Sequence, residues 1–407
     1  MLTIAYTITV NKEKTMIFTE FQNKKLSLLG MGCMRFPTLE NGEIDEALTR
    51  SMVDTAIKSG VNYFDTAYPY HNGKSELVIG EILSSYPRES FYLADKFPGH
   101  QISSSYDPEV VFEDQLKKCK VDYFDFYLLH NVYENSLPVY KDEKWGIIDY
   151  FVDQKKQGRI KHLGFSTHGS IEIMKQFLDE YSNVMEFCQI QLNYLDWTLQ
   201  NAKEKCELLA SYNIPVWVME PVRGGKLANL SEDATAKLKE KRPDESVAAW
   251  AFRFLQDING VKMILSGMSN MAQLLDNIKT FESERPLTAD EKTLILDIAE
   301  GLKNSVPCTA CRYCVEGCPQ GIDIPKMLEF YNEMRIAPTT NITMRIDAIE
   351  ESAQPKSCIG CQSCVNICPQ GIDIPTHLAD LVDISNKLPS WEAISRQREE
   401  AAIKLRG

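Results

Sequence analysis

Eight cysteines toward the end of the sequence fall into two copies of one pattern, CTACRYCVEGCPQGIDIP from Cys308 and CIGCQSCVNICPQGIDIP from Cys358. The first copy offers Cys308, Cys311, Cys314 and Cys318, the second Cys358, Cys361, Cys364 and Cys368. Each reads C-x2-C-x2-C-x3-C-P, the spacing that lets thiolates on a tight turn hold successive corners of a [4Fe–4S] cube. Structural zinc ordinarily takes two separated Cys or Cys/His pairs in a tetrahedral site, which bunched cysteines ending in Cys-Pro match poorly. The segment PQGIDIP recurs unchanged, so the halves read as one duplicated unit. Two [4Fe–4S] clusters passing single electrons are the chemistry implied.

A second group of reactive side chains stands far upstream. Asp65 ends VNYFD, Lys96 ends FYLADK and His130 follows FDFYLL, and Tyr70 lies five residues beyond Asp65. Alone, a His or Lys at a strand end is more often structural than catalytic. Together, a carboxylate, an ammonium, an imidazole and a phenol can polarise a carbonyl and exchange a proton with its oxygen. They can do so only where a fold brings strand ends to one place.

Short β-rich runs at 28–33, 61–65, 91–96, 124–129, 160–165, 185–190, 214–219 and 261–266 supply those ends. Amphipathic stretches such as IDEALTRSMVDTAIKSG and DPEVVFEDQLKKCK lie between them, and the Asp-Pro of the second suits a helix start. Eight strand–helix units in about 250 residues match a (β/α)8 barrel, whose C-terminal strand ends converge on the face where active sites are built. A doubly wound open sheet is the competing arrangement, but no G-x-G-x-x-G follows the first run. The expected architecture is therefore α/β: a (β/α)8 TIM barrel followed by a mainly α-helical, two-cluster ferredoxin-like domain. Boundaries are expected at 1–16 for an N-terminal extension and 17–285 for the barrel. A linker helix and the cluster domain take 286–388, and a charged helical tail 389–407.

The formal net charge of −13 argues against nucleic acid and anionic membranes as partners. No apolar run approaches the ~18 residues of a membrane span. The opening MLTIAYTITV lacks the basic flank of a secretory signal. Cys33, Cys119, Cys188 and Cys206 are dispersed without pairing spacing, a usage that suits a reducing cytoplasm.

Roughly residues 17 to 280 resemble the aldo/keto reductase family. DTAYPYHNGKSE (65–76) matches its Asp-x4-Tyr signature, and GMGCMRFP, LADKFPG, YLLH, GFSTH and ILSGMSN match in order. The whole chain is similar to the subgroup carrying a ferredoxin-like C-terminal domain. The resemblance implies that Tyr70 is the general acid, that Lys96 lowers its pKa, and that Asp65 holds Lys96 charged and placed. His130 would orient the carbonyl of a small carbonyl or alcohol substrate.

The resemblance also implies NADP or NAD. Gly32, Cys33 and Met34 match the loop after the first strand, and Ser166, Thr167 and Gln189 match positions that meet the carboxamide. The family usually has Asn where Thr167 stands, and an aromatic where Leu192 stands, for which Tyr194 is the nearby substitute. Gly267, Ser269, Gln273 and Asn277 resemble the pyrophosphate and adenosine end. The stretch 131–145 is expected to overhang the pocket, with Tyr133 or Trp145 lining it. If the cluster domain resembles bacterial two-cluster ferredoxins, ligation is crossed. Cys308, Cys311 and Cys314 then join Cys368, while Cys358, Cys361 and Cys364 join Cys318.

A reduced nicotinamide gives up two electrons as a hydride, whereas each cluster takes one. Coupling the halves directly calls for a flavin, and RGGK (223–226) is a glycine-rich candidate for holding FMN. The clusters could then serve an external redox partner such as a ferredoxin, or stabilise the appendage while the barrel works alone. A different class of function is an electron-transfer or docking subunit whose barrel is catalytically silent.

Overall fold

The computed structural model describes residues 16–303, 306, 308 and 310–406. The expected N-terminal extension, apart from Met16, lies outside the described residues. Eight parallel strands close into a barrel in chain order, the last pairing back to the first. They are β1 Leu29–Gly32, β2 Tyr63–Asp65, β3 Tyr92–Phe97, β4 Phe124–Leu129, β5 Ile160–Thr167, β6 Cys188–Gln191, β7 Val216–Met219 and β8 Val261–Ser266. All eight expected runs are strands of this barrel. The register sets Asp65 beside Ala94 and Lys96 beside Leu128, so the strand ends carrying the reactive side chains are neighbours.

Sequence and fold agree because each strand is buried on both faces. FDFYLL of β4 is buried at every position, as a near-continuous apolar run in a parallel sheet must be. The intervening helices start on side-chain caps: Asp45, Asp107, Ser170, Ser246 and Asn270 each accept a backbone N–H of the first turn. Pro108 occupies the first turn after Asp107, where its missing N–H costs nothing.

A short antiparallel hairpin, Phe18–Phe21 with Lys24–Ser27, precedes the barrel and was not legible as strands. Phe21 and Leu26 join Tyr63, Phe126, Phe187, Trp217 and Met263 in one buried cluster that fills the barrel's interior. Phe21 meets Trp217 edge-on at 5.0 Å between ring centroids. Gly164 in β5 allows this packing: a Cβ there would stand 2.6 Å from the Phe187 carbonyl oxygen. The interior is thus a packed core, and chemistry is confined to the mouth.

Helix Ala289–Lys303 places Ile295 and Ala299 in the barrel's own core, a contact that the expected boundary at 285 cuts across. Beyond it lies a second hydrophobic core, formed by the duplicated unit. Helices Ile324–Ile336 and Ile374–Asn386 both begin after an Asp with Pro in the first turn, so IDIP is a helix start in each half. The glycine before it has φ of 66° at Gly321 and 63° at Gly371, a left-handed turn that glycine adopts freely. This half is mainly α-helical, as expected.

The last helix, Trp391–Arg406, folds back over the barrel mouth. Glu399 accepts hydrogen bonds from the Ser103 and Ser104 hydroxyls at 3.0 and 3.1 Å. Trp391 packs with Tyr133 and Met344, and Ala402 belongs to the barrel's core cluster. Because Phe21 packs into the barrel's interior cluster, Phe21→Ala should lower unfolding stability by about 3–5 kcal/mol. Chemical denaturation measures it, and a loss under about 1 kcal/mol would make the hairpin dispensable.

Candidate active site and cluster ligands

At the mouth, Lys96 Nζ donates to Asp65 Oδ1 at 2.5 Å and to the Thr66 carbonyl at 2.6 Å. Both partners of the pair are buried. Burial alone would strip the proton from Lys96, but the Asp65 carboxylate outweighs it and holds the ammonium pKa above its ordinary value. The ammonium lies 4.9 Å from the centroid of the Tyr70 ring. The His130 ring stands nearly perpendicular to Tyr70, with 5.9 Å between centroids. The structure therefore brings all four chemistry-bearing residues together. Burial pushes the Tyr70 phenol up, against the pull of Lys96, so the expected lowering of its pKa is not the net direction.

His130 has company that the sequence reading did not name. His100 lies 4.2 Å from it between ring centroids, in the loop after β3. Burial pulls both imidazoles well below their usual range, aided by the Arg398 charge near His100 and by His100 beside His130, so both are neutral at neutral pH. Neither Nδ1 has a hydrogen-bond partner among the described residues. Two uncharged imidazoles facing a phenol can hydrogen-bond a substrate oxygen without competing for the proton.

These residues line a cavity of about 390 Å³. Of the expected nicotinamide contacts, Gly32, Met34, Ser166, Gln189, Gly267, Ser269, Gln273 and Asn277 also line it. Gln189 Oε1 is buried without a partner, an acceptor suited to a carboxamide N–H. Cys33 and Thr167 are not brought to the cavity. Cys33 is fully buried, its thiol facing the Met31 carbonyl at 3.8 Å. The Thr167 hydroxyl is consumed locally, donating to Val132 O at 2.6 Å and accepting from Gly169 N at 2.9 Å.

Asn131 lines the wall instead, its Oδ1 accepting from the His168 N–H at 2.9 Å. Its φ of 55° is a left-handed conformation that asparagine tolerates well. The Asn directly after His130 was the available signal. Tyr194 does not replace the missing aromatic: it packs against Phe254 in the core, and Leu192 is fully buried. Tyr133 sits under Trp391 and Trp145 against Tyr106, so neither lines the cavity.

At the other end, Ser269 N donates to Gln273 Oε1 at 2.8 Å and Ser269 Oγ to the Arg35 carbonyl at 3.0 Å. This loop leads into helix Met271–Phe281, whose N-terminus favours anions. Arg35, unnamed from sequence, is an exposed residue whose Cβ and Cγ pack on Gly267, adding a positive charge to this end. In RGGK, Gly224 and Gly225 reach the cavity, but Arg223 is buried in an ion pair with Asp196. That turn offers backbone but no free guanidinium to a flavin phosphate.

The eight motif cysteines surround two small cavities. One is lined by Cys308, Cys311, Cys314 and Cys368, the other by Cys318, Cys358, Cys361 and Cys364. Each group takes three cysteines from one repeat and the fourth from the other. Among the described residues no three His, Cys, Asp or Glu side chains converge closely enough to grip one ion. Four thiols spread around an apolar hollow are what a cube with one thiolate at each corner requires.

The aldo/keto reductase family model matches residues 28–300. The chain belongs to the aldo/keto reductase family. A 4Fe-4S dicluster domain matches residues 307–372, so a family barrel and an iron–sulfur domain share one polypeptide. The barrel is similar to the uncharacterized oxidoreductase YqkF of Bacillus subtilis, 26% identical over 297 residues, 65% of this chain and 90% of that one. An NADH-specific methylglyoxal reductase of Escherichia coli is 26% identical over 206 residues, 46% of this chain and 60% of its own length. Aldo-keto reductase AKR11C1 from Bacillus halodurans, in its holo form, superposes with a TM-score of 0.57 at 26% identity. It covers 70% of this chain and 96% of that chain. These relatives make the chain an aldo/keto reductase-type oxidoreductase.

Asp65→Asn tests the ion pair. It leaves Lys96 buried without a counter-charge, with an expected stability loss of about 3–5 kcal/mol measured by denaturant titration. A loss below about 1 kcal/mol would show that the two charges do not depend on each other.

Proposed function

We propose that the barrel reduces a carbonyl, or oxidises the corresponding alcohol, with NAD(P) as hydride carrier and Tyr70 as the proton donor. The observation that carries this reading is the convergence of Tyr70, His130 and the Lys96–Asp65 pair at one end of the cavity. A reduced nicotinamide, when bound, supplies the hydride. Tyr70 gives its proton to the carbonyl oxygen, and the Lys96 ammonium stabilises the phenolate left behind. Asp65 keeps that ammonium charged and fixed, so no reorganisation is needed as charge develops. Neutral His130 donates a hydrogen bond that orients the carbonyl. Gln189 and Ser166 would hold the carboxamide, and Gly267, Ser269 and Arg35 the phosphates.

We further propose two [4Fe–4S] clusters, one in each cysteine-lined cavity, with crossed ligation. They would pass single electrons to or from an external redox protein. The second reading, a silent barrel in an electron-transfer subunit, draws on Thr167 and Tyr194, which face away from the cavity. Stopped-flow mixing of anaerobically prepared protein with NADH and NADPH separates the two. Cofactor oxidation by a carbonyl supports catalysis, and no nicotinamide binding supports the silent barrel.

Tyr70→Phe should lower turnover by about 10²–10⁴-fold while nicotinamide binding persists, as followed by fluorescence titration. Unchanged turnover would remove the phenol from the chemistry. The pH profile follows from the phenol's environment. Burial raises its pKa, and the protonated form is the donor, so reduction is fully present below that value and lost as pH rises through it. Rates should hold from neutral pH to about 10. A midpoint near 8 would contradict the reading. For the clusters, Cys318→Ser should damage the centre held by Cys358, Cys361 and Cys364 more than the other. Electron paramagnetic resonance of the reduced variant reads this, and selective loss of the first-repeat centre would exclude crossed ligation.

A further inference from the structure

One cation that lines the cavity is not used by the proposed chemistry. Arg398, from the last helix, reaches the cavity wall. Among the described residues it makes no hydrogen bond and no ion pair; its guanidinium rests over the Trp391 ring at 5.5 Å. It is the helix, firmly docked, that puts it there. Glu399, next in sequence, is tied to Ser103 and Ser104. Leu405 Cδ1 stands 3.0 Å from where a Cβ on Gly73 would lie, just beyond Tyr70. Trp391 leans on His100 at 5.6 Å between centroids.

The other cations of the cavity are accounted for. Lys96 is bound to Asp65, and Arg35 packs on Gly267 at the phosphate end. Arg398 instead exerts its field on Tyr70, His100 and His130, the groups around the reacting carbonyl. The imidazoles beside it are neutral and the Asp65 charge is spent on Lys96, so the substrate end carries a surplus positive charge. A half-buried guanidinium with no hydrogen-bond acceptor has lost part of its hydration, which the anionic group of a ligand would offset.

We infer that Arg398 anchors an anionic group of the substrate, and that the substrate is a small carbonyl compound carrying a carboxylate next to or near its carbonyl, such as a 2-oxo acid. The planar fork of the guanidinium takes a carboxylate through two parallel hydrogen bonds, which fixes the orientation of the neighbouring carbonyl towards Tyr70. The cluster domain thereby contributes to the barrel's specificity, because its terminal helix completes the pocket. This inference rests on Tyr70 being the proton donor, and its test has an arm that does not.

Steady-state kinetics of the full-length, anaerobically prepared enzyme should favour 2-oxo acids over methyl ketones and aldehydes of equal size. Arg398→Gln should raise KM for the acids by about 10- to 100-fold, with kcat/KM for the neutral carbonyls changed less than about twofold. Arg398→Lys should restore part of the loss. Equal effects on acids and neutral carbonyls, or a wild-type preference for neutral ones, would overturn the inference. Calorimetric binding of oxamate, a non-reducible 2-oxo acid mimic, supplies the second arm. Binding that Arg398→Gln abolishes supports the anchor even in a chain that reduces nothing. Oxamate bound equally by both forms, or displaced by equimolar inorganic phosphate, would count against a carboxylate site.

Discussion

The contact between Lys96 and Asp65 is the constraint on which the rest of the molecule depends. Two opposite charges taken out of water are stable only when held at hydrogen-bond distance. The barrel achieves this by ending adjacent strands in register, so that each side chain emerges beside the other, and by offering the Thr66 carbonyl as a further acceptor. Behind them, Gln115 Nε2 donates to the Lys96 carbonyl at 3.0 Å and to Glu76 Oε1 at 3.1 Å, and Lys118 closes the charge on Glu76. A polar layer that is internally satisfied keeps the strand end rigid. The phenol then meets an ammonium whose position is set by the sheet rather than by a mobile loop.

Much of this was legible because the fold speaks through repeating signals. Continuous apolar runs marked all eight barrel strands, and Asp65, Lys96 and His130 could be placed at one rim once those runs were ordered. The cysteine spacing carried the cluster domain, and the duplication of IDIP showed its internal symmetry. What was hidden lacked such signals. The hairpin strands are four residues each, too short to show a period. His100, Arg35 and Asn131 lie in loops or turns, where position depends on backbone conformation. Thr167 was expected at the cofactor because of its place in GFSTH, yet its hydroxyl meets the needs of the Val132 carbonyl and the Gly169 N–H. Arg398 was not singled out within the charged helical tail, because nothing local says which way that helix folds.

Buried polar and charged side chains join the two halves. Glu333, fully buried on helix Ile324–Ile336, accepts from Gln200 of the barrel and lies 3.9 Å from Arg223, which in turn is paired with Asp196. Ile336, from the same helix, belongs to the barrel's core cluster. A junction of this kind fixes one orientation, since any sliding would strand a carboxylate without its partner. That fixity is what allows a helix from the far end of the sequence to shape the barrel's mouth.

The sharing of cysteines between repeats bears on how the protein is made. A hollow lined by Cys308, Cys311, Cys314 and Cys368 lacks its fourth wall until the second repeat has been synthesised through Cys368. With three cysteines from one repeat and the fourth from the other, neither proposed cube can be completed until both repeats have closed on each other. Under the crossed ligation proposed above, the topology thus puts metallation after the pairing of the two repeats.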